Sequence, residues 1–145
     1  MKFSYKLSDA IHILAYLEIN QNDADLSSRM IASSIEANPS VVRNLMRDLK
    51  AGGMINTRQG SARPSLAKDP AKISLLEVYQ ALDMNQNLLH VDPKTNPNCL
   101  VGANIQATLD EAYRRVEEAA FQEMAQVTIQ DIVDGIVKRS NNVKK

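Results

Sequence analysis

The chain has 145 residues, 44% apolar but only 4% aromatic and without Trp, enough for one domain, or a small domain plus an appendage, around a mostly aliphatic core. Basic and acidic residues balance at 17 each, so net charge points to no acidic partner. The single cysteine excludes an internal disulfide framework, and no run approaches the ~18 apolar residues of a membrane span.

Leu7, Ala10, Ile11, Leu14 and Leu17 recur at helical spacing, which predicts a first helix ending near Asn20. The polar stretch Asn20 to Asp25 reads as a loop. Ser27 or Ser28 can cap a short second helix that buries Met30, Ile31 and Ile35. Ala37-Asn38-Pro39 ends it. Asn38 then suits an N-cap and Pro39 the first position of a third helix. That helix carries Val42, Leu45, Met46 and Leu49 on one face, and Gly52-Gly53 stops it. Two helices joined by about three residues form a helix-turn-helix.

Met54 to Arg58 and Ser65 to Lys68 predict two strands around a turn-rich tip, a β-hairpin wing whose second strand Pro64 weakens. Ser74-Leu-Leu-Glu77 is a capping box opening a fourth helix. Residues 84–102 read as a loop. From Ala103 to about Gln126 a long helix carries Ile105, Leu109, Ala112, Val116 and Ala119, stepping by 4, 3, 4, 3. Thr128 is set to cap a last helix with Ile129, Ile132, Val133 and Ile136 inward. The expected fold is mainly α with a small β-hairpin wing. It divides into a winged helix-turn-helix domain over 1–83, the loop 84–102, and a dimerisation helix with a C-terminal helix over 103–145.

Charge is unevenly spread. Residues 39–72 carry seven basic side chains against two acidic ones, whereas residues 73–145 carry seven against ten. A basic stripe over a helix-turn-helix and wing suits a phosphate backbone. Ser27, Ser28 and Ser40 stand at helix N-termini, where backbone N–H groups meet phosphates. Arg47, Lys50 and Arg58 can flank the groove. Arg43 and Asn44 are bidentate donors for base edges. Gln59 and Arg63 stand on the wing. Double-stranded DNA is therefore the expected partner. The competing readings are a winged-helix protein-interaction module and a sensor binding a small molecule between wing and long helix.

These segments resemble the Rrf2 family of bacterial transcription regulators over nearly the whole chain. The resemblance rests on Met1-Lys-Phe-Ser-Tyr-Lys-Leu-Ser, Ile31-Ala-Ser-Ser-Ile, the run Asn38 to Ile55, Ile73-Ser-Leu-Leu-Glu-Val-Tyr, Asn98-Cys-Leu-Val-Gly and Val127-Thr-Ile-Gln-Asp-Ile-Val. It implies a cytoplasmic, homodimeric, repressor-type regulator on a pseudo-palindromic operator, with the long helix at the dimer interface. It implies that Ser40, Arg43, Asn44 and Arg47 lie on the recognition helix. Gln59 stands where many members have a wing arginine, and Gly60-Ser-Ala-Arg-Pro64 departs from the glycine-richer family wing.

The family's best-known branch holds an iron–sulfur cluster with three cysteines before the long helix. This chain has only Cys99 there, so no cofactor is expected, and it looks closer to the cluster-free, YwnA-like branch. Cys99 has two readings: a thiol sensor activated by the helix dipole, or a small buried residue packing the helix's first turn. The second is favoured, because the chain offers no resolving cysteine. His12 suits a core edge, and His90 matches no metal motif. No nucleophile–base pair or phosphate loop stands out, so the chain reads as a non-enzyme.

Overall fold

A computed structural model describes residues 4–23, 25–57, 63–82 and 88–143. The first helix, α1 (Lys6–Ile19), buries Ile13, Leu14 and Leu17 at the centre of the core. Helix α2 (Ser28–Ile35) starts on Ser27, whose hydroxyl oxygen accepts from the Met30 N–H at 3.3 Å. It stops at Glu36, held in the left-handed region at φ 59°. Helix α3 (Pro39–Ala51) follows after the turn at Glu36, Ala37 and Asn38, with Asn38 as its cap and Pro39 at its first position. Val42, Leu45 and Leu49 face inward. The end of α3 is a Schellman motif, with Met54 N–H on Leu49 O and Gly53 N–H on Lys50 O, both 3.0 Å.

Gly53 supplies the left-handed residue, at φ 78°. Its added Cβ would meet nothing, so backbone strain alone sets the cost of a substitution there. Gly53→Ala is expected to lower stability by about 1–2 kcal/mol, read as a lower midpoint of denaturant unfolding without a change in slope. An unchanged midpoint would contradict this account of the turn.

The hairpin is short. Strands β1 (Ile55–Asn56) and β2 (Ser65–Leu66) pair antiparallel, Ile55 with Leu66 and Asn56 with Ser65. The predicted strands were longer, and the pairing instead covers two residues on each side. After a 3₁₀ turn at Pro70–Lys72, Ser74 caps α4 (Leu75–Ala81) by accepting from Glu77 N–H at 3.1 Å. The Glu77 carboxylate turns to Lys68 Nζ at 2.7 Å.

The long helix α5 (Leu100–Met124) begins three residues before the expected Ala103. None of its residues is buried. A Cβ on Gly102 would overlap the Asn96 carbonyl oxygen, so glycine lets the preceding loop close onto the helix. The last helix, α6 (Ile129–Val143), opens with a reciprocal cap. Asp131 N–H donates to Thr128 Oγ1 at 3.1 Å, and Thr128 N–H donates to Asp131 Oδ2 at 2.9 Å.

The sequence pattern groups α6 with α5 in 103–145, but α6 packs on α1 and shares its core. Ile129 and Val133 are buried in one cluster with Leu14, Val42 and Val78. A backbone bridge explains the return. Leu75 N–H meets Val127 O and Ile129 N–H meets Ile73 O, each at 2.9 Å. Helix α5 meets this body through α4, where Phe121 faces Tyr79. Among the described residues no helix is long and apolar enough to cross a membrane.

Candidate nucleic-acid interface

The outward side of α3 is built by subtraction. With Val42, Leu45 and Leu49 inward, Ser40, Val41, Arg43, Asn44, Arg47 and Lys50 are all exposed. Arg43, Arg47 and Lys50 recur at i, i+4 and i+7 and so share one flank. That flank closes on the start of α2 and the end of β1. A cleft of about 320 Å³ is lined by Ser28, Arg43, Met46, Arg47, Lys50 and Thr57. Arg47 and Lys50 on a concave surface with hydroxyls beside them can seat a phosphate, with Arg43 next to them on the side of Asn44.

The structure brings Ser28, Arg43, Arg47 and Lys50 together in this cleft. Met46, which the helical period places on the inward face, and Thr57 complete it; Thr57 was not singled out in the sequence, since it follows the short strand and carries no motif of its own. Ser40 and Asn44 lie on the neighbouring arc of α3. Ser40 N–H and hydroxyl both donate to Asn38 Oδ1 at 2.9 Å, which fixes the helix start. Val41, 40% exposed beside them, has the chemistry to meet a thymine methyl.

Ser27 is differently employed. Its backbone N–H donates to Asp25 Oδ1 at 2.9 Å. That bond first, then the Ser27 hydroxyl, and the Arg29 charge to a lesser degree, hold the Asp25 carboxyl below its ordinary range. An anion thus already stands at this helix start, and Ser28 is the residue that reaches the cleft. Arg63 is exposed and donates from Nη2 to the Gln21 carbonyl at 3.1 Å, tying the hairpin base to the loop after α1. Arg58 and Gln59 lie outside the described residues.

The α5 stripe is uncovered from Ala112 onward. Ile105 and Leu109 are half-buried, while Ala112, Val116 and Ala119 are exposed. The helix face about a quarter-turn away is dressed by its own chain. There Gly102 O accepts from Thr95 Oγ1 at 2.7 Å, Gln106 Nε2 donates to Asp92 O at 2.9 Å, and the Phe121 ring packs against Tyr79, centroids 5.5 Å apart and planes tilted by 45°.

Cys99 corrects an expectation. It occupies the N-cap of α5 and is exposed, not packed beneath the first turn, because the helix begins earlier than its sequence pattern suggests. N–H bonds from Gly102 first, then Val101, hold its thiol below the ordinary range. Alkylation by iodoacetamide is therefore expected to be faster at neutral pH than for a free thiol, with a rate–pH midpoint displaced downward. An unshifted midpoint would remove that effect. His12 is half-buried at the edge of α1, with Nε2 2.8 Å from Ser34 Oγ. His90 is exposed.

The sequence matches the family described as Rrf2, iron-dependent transcriptional regulator, over residues 3–135. It is 40% identical over 129 residues to a Bacillus subtilis (strain 168) protein described as HTH-type transcriptional regulator YwnA, spanning 89% of this chain and 95% of that protein. A solved structure described as a DNA-binding protein is 39% identical, with TM-score 0.68, and covers 88% of this chain and 97% of its own. A transcriptional regulator from Lactobacillus plantarum is 21% identical, with TM-score 0.75, over 97% and 95% of the two chains, and supports the fold alone.

The donor set does not fit the iron in the family's description. Cys99 is the one thiol of the chain, and among the described residues no three His, Cys, Asp or Glu side chains converge as metal ligands. With a winged helix-turn-helix body and a family match over most of its length, the chain belongs to the Rrf2 family of transcriptional regulators and is not an enzyme.

Proposed function

We propose that the chain is a cytoplasmic, sequence-specific DNA-binding repressor that works without a cofactor, as a homodimer on a pseudo-palindromic operator. The cleft joining Ser28 to Arg43, Arg47 and Lys50, beside the exposed Asn44, carries this reading. The phosphate seat sets register, and Arg43 and Asn44 reach base edges in the major groove. The uncovered α5 stripe supports a second copy, which spaces two recognition helices about one turn of DNA apart.

The test is a gel shift across a salt series on DNA upstream of the chain's own gene, against random DNA of equal length. Specific binding with a steep salt slope is expected. Arg43→Ala or Asn44→Ala should each cut discrimination about tenfold or more, while Lys50→Ala weakens both DNAs alike. Binding without sequence preference at any salt favours the protein-interaction reading instead. Deleting the gene should raise transcription from the bound promoter, and a fall would make the regulator an activator.

The exposed, activated Cys99 thiol supports a second reading, in which its modification changes operator affinity. Operator titrations before and after peroxide or diamide decide it. Unchanged affinity with modification of Cys99 confirmed ends that idea.

A further inference from the structure

A second cleft, of about 440 Å³, lies between the segment 89–91 and the middle of α5. It is on the helix face dressed by its own chain, away from the exposed stripe. Leu89 N–H donates to Glu117 Oε1 at 3.1 Å and Gln106 Nε2 to Asp92 O at 2.9 Å, so two bonds hold the segment against the helix. The α5 side is the row Asp110, Tyr113, Arg114 and Glu117, spaced i, i+3, i+4 and i+7. His90 stands across from it.

Asp110 and Arg114 are one turn apart, the spacing of a helical ion pair. Among the described residues they form none, and neither side chain has a hydrogen-bond partner. Both signs of charge border one cavity. A simple anion would meet the repulsion of Asp110 and Glu117, and a simple cation that of Arg114. The same donors do not make a metal site, since no three of the described His, Cys, Asp or Glu side chains converge.

We propose that this cleft binds a small zwitterion of the free α-amino acid type. Its carboxylate pairs with the Arg114 guanidinium, and its ammonium with Asp110 and the Glu117 oxygen not used by Leu89. Asp110 and Arg114 lie about 6 Å apart along the axis, so one ligand can span both. Its side chain rests against Tyr113, Leu89 and Val91, and the cavity is large enough to leave that side chain room. The proposal does not depend on how the chain meets DNA, although a ligand here would grip the helix that carries the uncovered stripe.

Thermal unfolding of the full chain, with each standard L-amino acid added in turn, tests it. At least one is expected to raise the Tm by several degrees. Arg114→Gln and Asp110→Asn, both at exposed positions, should each weaken that ligand about tenfold or more by calorimetry. Arg115→Gln, outside the cleft, should leave it unchanged. The proposal is overturned by the absence of a shift with every amino acid, or by a shift that survives both cleft substitutions.

Discussion

Glutamate at two positions on α5, Ala112→Glu with Val116→Glu, should convert the proposed homodimer into a folded monomer with about 10²–10⁴-fold weaker operator binding. Both positions are exposed in the single chain, and Val116 keeps 55% of its surface. The substitutions therefore remove no packing from the protomer, and any fall in its unfolding midpoint should be limited to the stabilisation that the partner subunit contributed. In a two-fold interface each change acts twice, on surfaces that face their own copies. Four carboxylates would then enter one apolar contact, and burying charge without a partner is costly. Affinity falls because the second half-site loses the high local concentration that the first provides. Light scattering gives the oligomeric state, and a titration on full and half operators gives the affinity. A variant that stays dimeric would place the interface elsewhere, with Leu100 and Val101, 83% and 65% exposed, the next apolar surface to test.

Much of the body was legible because its signals are local. Asn38-Pro39, Ser74 and Thr128 each satisfy orphan N–H groups within a turn, so the residue type announces the helix start. Gly53 announces a stop in the same way. The helix-turn-helix follows from two such signals, at Ser27 and Asn38. What escaped the sequence depends on contacts between distant segments. Nothing beside Ile129 tells that it will join the core of α1, because the bridge to Ile73 spans more than fifty residues. The early start of α5, and with it the exposure of Cys99, depends on the Asn96 carbonyl approaching Gly102. For the interface, the helical period placed Arg43, Arg47 and Lys50 outward. It could not say that Ser28 and Thr57 would close a cleft with them, nor that Ser27 would be occupied by Asp25.

Replacing Arg43, Arg47 and Lys50 together by alanine should lower operator affinity roughly a thousandfold, taking about tenfold for each charge-assisted contact. The single variants divide this loss by role. Arg47 and Lys50 stand farther along α3, toward its C-terminal end, where a helix entering the groove by its N-terminus meets the backbone. Each should reduce the slope of log K against log salt by roughly 1, on operator and random DNA equally. Arg43 stands one turn closer to the entering end, beside Asn44. Its loss should fall mainly on the operator, with a smaller change of slope, because a base-edge contact displaces no condensed cation. The three side chains are exposed, so their removal leaves the core of Val42, Leu45 and Leu49 intact, and unfolding midpoints should stay close to that of the parent protein. If Arg43→Ala instead lowers the slope by about 1 on both DNAs, all three cations serve the phosphate seat. Base reading would then fall to Asn44, Ser40 and Val41 on the adjoining arc, and the helix would lie in the groove turned toward that side.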